Sequence, residues 1–321
     1  MTSSPLGSER SYKYLFGPVP SRRLGRSLGI DLVPLKTCSE SCIFCQVGAT
    51  TDLQIERREY VPVAEVVGEF NAWLADGGKA DVVTLSGSGE PTLHSRFGDV
   101  LQNVRSQCDI KRVLLSNGTL CWMPAVRRQA QAADIVKVSL SAWDQSSFER
   151  INRPHPGLRF EKVVDGLCSL RAEFRNELWL EVFVLAGMND NVADMQRIAA
   201  LAGRISPDSI QINTVVRPPA EACARPVGHE AMQELAALFG PSARVIAAVE
   251  RVADERHAAA APVSLAAVLA VLERRGCRAF DLAVGLNVDP AAIGPLLEQL
   301  LQTGRIHAEI RDGERYFSAL E

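Results

Sequence analysis

Short apolar, β-branched runs recur along the first two thirds of the chain, and Gly, Ser or Pro stops each of them. They are RSLGIDLVP (26–34), ADVVTLSGSG (80–89), KRVLLSNGT (111–119), DIVKVSLSA (134–142), LWLEVFVLAG (178–187) and SIQINTVVRP (209–218). Such runs predict buried strands. Segments with apolar positions three and four apart lie between them, among them VAEVVGEFNAWLAD (63–76), FEKVVDGLCSLRAEF (160–174) and VADMQRIAALAGRI (192–205). These predict amphipathic helices. Six strands alternating with helices imply an α/β fold with a parallel sheet and right-handed crossovers. The pattern leaves open a (βα) barrel, full or partial, and a doubly wound sheet. Polar residues follow nearly every run, which places a site at the carboxyl ends of the strands.

The pattern changes at ADERHAAAAPV (253–263), an Ala-rich stretch containing Pro. Beyond it, SLAAVLAVLERRG and AFDLAVGL read as two helices. Asp289 and Pro290 read as an N-cap and first helical position, opening a third helix through Gln302, with Pro295 as a kink or a late start. RIHAEIRDGERYFSAL then reads as two strands around an Asp-Gly turn. Three helices and a hairpin predict a small winged-helix-like domain. The expected division is 1–252 for the main domain, with an N-terminal extension over 1–25, then a linker at 253–262 and the second domain at 263–321.

Composition narrows the function classes. With 47% hydrophobic and 23% charged residues and a net charge of -3 over 321 residues, the chain reads as an ordinary globular protein. It has no global attraction to nucleic acid or anionic membrane. The first residues lack an apolar secretory core, and no run of about 18 apolar residues occurs, so no membrane span is expected and the cytoplasm, with its reduced thiols, is the expected location. The C-terminal module carries six Lys and Arg against eight Asp and Glu, and its third helix, PAAIGPLLEQLLQ, has no basic residue. That argues against DNA binding.

Three of the eight cysteines fall within KTCSESCIFCQ, at Cys38, Cys42 and Cys45. The other five (Cys108, Cys121, Cys168, Cys223 and Cys277) are scattered and read as small buried apolar residues. Gaps of three and two residues let one loop aim three thiolates at one soft metal centre. A zinc site needs a fourth ligand, and none of His94, His155 and His229 has finger-like spacing. A ferredoxin needs a fourth nearby cysteine, and the next one is Cys108. The remaining reading is a [4Fe-4S] cluster with one iron left without a protein ligand, open to a molecule that chelates through amino and carboxylate groups.

CxxxCxxC with an aromatic before its last cysteine, Phe44, resembles the radical S-adenosylmethionine (SAM) superfamily. The resemblance spans roughly 16–245 and implies a partial (βα)6 TIM-like barrel. It also implies one [4Fe-4S] cluster held by Cys38, Cys42 and Cys45, with SAM chelating the open iron. An electron from the cluster then breaks a carbon–sulfur bond, and the 5′-deoxyadenosyl radical takes hydrogen from a substrate. LSGSGEPTLH (85–94) is similar to the family's Gly-Gly-Glu segment, with Ser88 in place of the first glycine. Gly89 allows close backbone approach, and Glu90 accepts protons from the cofactor's amino group. Phe44 is the expected wall for the adenine. Ser116 and Asn117 in LLSNGT, Ser139 and Ser141 in VKVSLSA, and Asn213 in QINT are further candidates to meet the cofactor, with Asn189 of the same type.

The closest resemblance is to a subgroup related to wybutosine-type tRNA-modifying enzymes, on GPVPSRRLG and SLGID before the cysteines and GEPTL after the second strand. In that subgroup Arg22, Arg23 and Arg26 would form a basic cluster beside the cysteine loop, able to hold substrate carboxylates or phosphates. The additional cysteines that the wybutosine enzymes use for a second cluster have no counterpart here, so their substrate is not carried over. An RNA base, a peptide and a small metabolite stay open as substrates. A low-potential donor such as flavodoxin or ferredoxin is the implied electron source. The rival reading is a non-catalytic, metal-stabilised nucleic-acid-binding or adaptor protein that works through its C-terminal module.

Overall fold

The computed structural model of the chain describes residues 12–21, 23–246, 263–273, 276–286, 288–311 and 314–320. Arg22 and the expected linker, 253–262, lie outside them. In chain order the main body comprises β1 (Leu15–Ser21), β2 (Gly25–Ile30), β3 (Thr37–Cys38), β4 (Asp52–Leu53), α1 (Val63–Ala75), β5 (Val82–Leu85), α2 (Phe97–Gln107), β6 (Lys111–Leu115), α3 (Pro124–Ala130), β7 (Ile135–Ser139), α4 (Gln145–Ile151), α5 (Phe160–Glu173), β8 (Glu177–Val184), α6 (Val192–Ile205), β9 (Ser209–Thr214), α7 (His229–Ala237) and β10 (Ala243–Val245). All six expected strands are present, and the three expected helices match α1, α5 and α6.

One sheet runs in the order β1-β2-β5-β6-β7-β8-β9-β10. From β2 onward neighbouring strands are parallel, as βαβ connections require, and β1 is an antiparallel edge on β2. The edge position accommodates Pro18 and Pro20, which cannot donate to a ladder. Two parallel-sheet expectations are extended: β10 adds a seventh parallel strand, and the N-terminal segment joins the sheet.

Strand side chains divide by face. Leu28, Ile30, Val83, Leu85, Leu114, Val136, Val138, Leu180 and Ile212 pack with Phe70, Phe97, Phe174 and Ile198 of the helical layer in the main core. On the other face Val82, Val113 and Ile135 pack with Leu24, Leu115 and Trp179. Arg23, in the β1–β2 turn, hydrogen-bonds Glu181 on β8 and Gln211 on β9. In a flat sheet β2 and β9 would lie about 24 Å apart, so one arginine can join them only because the sheet curls. The outcome is the expected partial barrel, with Val82, Val113, Ile135, Glu181 and Gln211 facing its lumen.

The C-terminal part contains α8 (Leu265–Leu272), β11 (Cys277–Arg278), α9 (Ala279–Leu286), α10 (Pro290–Gln302), β12 (Ile306–Arg311) and β13 (Glu314–Ala319). Its antiparallel sheet runs β11-β13-β12. Asp289 caps α10 by accepting from Ala291 N at 2.8 Å, and Pro295 sits within the helix without ending it. Its small core (Val268, Leu272, Leu282, Ile293, Leu297, Ile306 and Phe317) also takes in Val19 of β1, so this part is seated on the barrel's edge strand. One cysteine expectation is corrected. Cys121 and Cys277 are buried, but Cys108 and Cys168 are half-buried and Cys223 is exposed.

Candidate active site

The cysteine loop leaves the carboxyl end of β2. Short parallel pairing of Thr37–Cys38 with Asp52–Leu53 closes it at its base. Its middle is pinned by Ile43, which is buried beside Ile151, Phe183, Leu185 and Ala224 and donates its N–H to Ile151 O at 3.1 Å. Turns from Cys45 N to Cys42 O and from Gly48 N to Cys45 O bring the three thiols to one place. They influence one another accordingly. Burial pushes Cys38 and Cys42 well above the usual thiol range; Glu90 adds to this at Cys38, and Glu40 and both other thiols add to it at Cys42. Burial also raises Cys45, where the N–H groups of Val47 and Gly48 oppose it.

The donor set fits an iron–sulfur cluster. The N–H of Glu40 and the amide of Asn117 (Nδ2 at 3.6 Å) reach Cys38 Sγ, and Asn152 Nδ2 reaches Cys42 Sγ at 3.4 Å. Donors of this kind serve thiolates, and thiols held protonated by burial are deprotonated by a cationic metal centre. Among the described residues no three Cys, His, Asp or Glu groups converge on a single ion. A four-iron cube takes one thiolate per iron and so spreads its ligands more widely.

The β5 loop lies against this one through its glycines. A Cβ on Gly89 would stand 1.8 Å from Thr37 O, so only glycine fits. Ser88, the departure from Gly-Gly-Glu, has a structural use: its N–H and hydroxyl both bind the buried Asp31 carboxylate, at 2.8 and 2.5 Å. Glu90 is 2% exposed and lacks a cationic partner among the described residues. It accepts from Thr92 N (2.9 Å), Thr92 Oγ1, Ser116 Oγ (2.8 Å) and Asn117 N (2.7 Å). Burial raises its pKa against these four donors. Ser116 and Asn117 therefore stand where the sequence reading put them, at the end of β6, but they face Glu90 and the cysteine loop. Asn117 Nδ2 also donates to Ser39 Oγ at 2.9 Å, and its Oδ1 accepts from Thr119.

Phe44 stacks on Phe183, with centroids 4.3 Å apart and planes 11° from parallel, forming an aromatic wall at the lumen mouth. Ser139 ends β7. Ser141 is buried and accepts from Phe183 N at 3.0 Å, and Asn189 ties Ser141 O to Phe183 O. Asn213 reaches Glu181 at 3.4 Å. Below them lies a cluster that sequence reading missed. Lys137 Nζ is 2.8 Å and Arg23 Nη1 3.3 Å from Glu181 Oε1. Burial would raise Glu181, but Lys137 and Arg23 outweigh it and hold the carboxyl at about 2.

The expected arginine cluster is corrected. Arg23 is folded into the lumen, and Arg26 pairs with Asp81 at the amino end of β2, the end away from the cysteine loop. Their spacing in sequence concealed that the β1–β2 turn lies at the amino end of the strands, opposite the cysteine loop. Glu40 and Asn152 were also missed. Glu40 lay unremarked between two cysteines, and Asn152 comes to Cys42 only through the fold.

A cavity of about 790 Å³ opens beside the loop. The barrel lines it with Leu35, Lys36, Gln46 and Ser88, and the C-terminal part with His307 and Glu309. A smaller space of about 220 Å³ shares Gln46 and Val47 and reaches Ser86 and Leu115 of the lumen side.

Comparison with known proteins agrees with this geometry. The profile of the Radical SAM superfamily matches residues 32–201. A UPF0026 protein of Methanocaldococcus jannaschii is 34% identical over 231 residues, covering 70% of each chain. A protein named GTPase Obg of Brachyspira hyodysenteriae is 31% identical over 306 residues, covering 95% of this chain and 45% of that one, so this chain spans under half of that relative. The structure of TYW1 with a lysine-pyruvate adduct bound superposes with a TM-score of 0.50 at 18% identity, over 70% of this chain and 75% of that one. At that identity the likeness is one of fold. The loop, the sheet and the profile lead to one assignment: the chain belongs to the radical SAM superfamily, whose enzymes use a [4Fe-4S] cluster and S-adenosylmethionine.

Proposed function

We propose that the chain holds one [4Fe-4S] cluster on Cys38, Cys42 and Cys45, binds SAM beside Gly89 and Glu90, and abstracts hydrogen from a substrate. The observation that carries this reading is the grouping of three half-buried thiols, served by N–H donors, at the carboxyl mouth of a parallel barrel. When bound, the cluster supplies one electron, taken from a donor such as flavodoxin or ferredoxin, that cleaves SAM to methionine and a 5′-deoxyadenosyl radical.

The chain's own residues position these groups. Gly89 lets the backbone approach the ligand, and the buried Glu90 carboxylate favours an ammonium. Phe44, braced by Phe183, offers an apolar face for an adenine ring. Ser116, Asn117 and Ser141 hold the loops of the same mouth, with Ser139 at the end of its strand and Asn213 reaching toward Glu181. We take 263–321 as a domain that supplies one wall of the cleft at Gln46. A cleft of about 790 Å³ is in the range of organic-ligand sites. An RNA base, a peptide or a small metabolite would enter there.

The test is an anaerobic one. Reconstituted protein should show a charge-transfer band that dithionite bleaches and, with dithionite and SAM, should form 5′-deoxyadenosine; Cys42→Ala should show neither. Iron-loaded wild type that forms no 5′-deoxyadenosine, under conditions where a known radical enzyme does, would overturn the reading.

A further inference from the structure

We propose that Asn152, and to a smaller extent Asn117, raises the reduction potential of the cluster by donating a side-chain N–H to a ligating sulfur. The proposal rests on the cluster reading of Cys38, Cys42 and Cys45. A hydrogen bond to a cluster thiolate favours the more negative, reduced form.

The three sulfurs are served differently. Cys45 receives backbone N–H groups from Val47 and Gly48. Cys38 receives the N–H of Glu40 together with the Asn117 amide, at 3.6 Å. Cys42 takes its donor from a side chain, Asn152 Nδ2 at 3.4 Å. That amide is 5% exposed, and its Oδ1 has no hydrogen-bond partner among the described residues. As placed, Nδ2 donates to both Cys42 Sγ and Glu40 Oε2, each at 3.4 Å, and turning the amide over would forfeit both bonds. The amide is thus held donor-side toward Cys42 while its own oxygen goes unmet, a pattern that asks for a functional reason.

Its placement is firm. Asn152 N donates to Phe148 O at 2.8 Å at the end of α4, and Asn152 O accepts from Ser41 N at 3.1 Å in the cysteine loop. Glu40 and Glu90, both buried here, act in the opposite sense whenever they ionise, since negative charge disfavours reduction. The amides offset them. The step concerned is the entry of one electron from a low-potential reductant, with no bond made or broken.

The experiment is an EPR-monitored potentiometric titration of the reconstituted full chain, with dithionite as reductant and iron and sulfide counted for every sample. Asn152→Leu keeps the volume and removes the donor. It should lower the reduced-to-oxidised ratio at fixed potential about tenfold, a shift of about 59 mV for one electron. Asn117→Leu should shift it less, in the same direction. An unshifted, fully loaded Asn152→Leu overturns the proposal. So does loss of iron from both Asn152→Leu and Asn152→Ser, which would make Asn152 a support for the loop. Failure of wild type to assemble a cluster is seen before any variant and removes the cluster reading itself.

Discussion

The mouth and the floor of the barrel both bury carboxylates, and they treat them in opposite ways. On the floor, Glu181 sits between Lys137 and Arg23 and is held at about 2 despite its burial. At the mouth, Glu40 is raised to about 8 by burial, and Glu90 is raised as well; among the described residues neither pairs with a lysine or arginine. The floor is neutralised by the chain itself. The mouth gathers two carboxyls and three thiols and meets them with N–H dipoles, groups that burial keeps protonated until a cationic guest or metal centre arrives to favour their ionised forms. Stability and function should therefore separate between the two regions.

The largest effect expected is at the mouth. Cys42→Ala should remove cluster iron and 5′-deoxyadenosine formation entirely, while thermal unfolding of the iron-free protein changes little. Gly89→Ala should come close to this, because its Cβ would force Thr37, the neighbour of Cys38, to move. Iron bound per chain after reconstitution measures both. The floor should give the reverse. Glu181→Gln removes the carboxylate that Lys137 and Arg23 share and should cost about 3–5 kcal/mol in urea unfolding, with the cysteine loop still able to take up iron. If Glu181→Gln abolishes loading at unchanged stability, the contrast between the regions fails.

pH sharpens the same contrast. The folded pKa of Glu181 lies below its ordinary 4.5, so its stabilisation is complete above about 4.5 and is lost as pH falls toward 2. It is worth about 3 kcal/mol. For Glu40 the folded value lies above the ordinary one. Between 4.5 and about 8 the folded chain keeps a proton that the unfolded chain has released, and stability of the iron-free protein falls as pH rises through that window. Unfolding free energies measured from pH 5 to 8 should slope downward in wild type and flatten in Glu40→Gln. A wild-type slope that persists unchanged in Glu40→Gln would remove Glu40 as its source.

The two regions also differ in how readily the sequence discloses them. Cys38, Cys42 and Cys45 fall within eight residues, and apolar runs that end in polar loops mark the strands, so the cysteine loop and the parallel sheet can be read from spacing, while the barrel and the places of Gly89 and Glu90 follow from the family resemblance. The floor cannot. Lys137 looks like an interruption in an apolar run, and Glu181 like another. Only the curl of the sheet brings Arg23 to them across several strands. Asn152 and Cys42 are likewise joined by tertiary structure, and no local pattern marks an amide for a sulfur. β1 was hidden because its Gly and Pro break the alternation that identifies a strand, while its pairing depends on β2.

The smallest effect lies at the seam between the superfamily pattern and this chain. Ser88 stands where the Gly-Gly-Glu pattern has glycine, and its hydroxyl binds Asp31 at 2.5 Å while its N–H binds the other carboxylate oxygen at 2.8 Å. Ser88→Gly keeps the N–H bond and removes only the hydroxyl. A hydrogen bond to a buried charged group is worth about 1.5–3 kcal/mol. The hydrogen-bond loss should fall at the low end because the N–H bond survives, and glycine's added backbone freedom in the unfolded chain enlarges it by under about 1 kcal/mol. Iron loading and SAM cleavage should persist, since Gly89 and Glu90 keep their places. Urea unfolding alongside a SAM-cleavage assay separates the two outcomes. If Ser88→Gly loses cleavage with stability intact, the hydroxyl belongs to the cofactor and its bond to Asp31 is secondary.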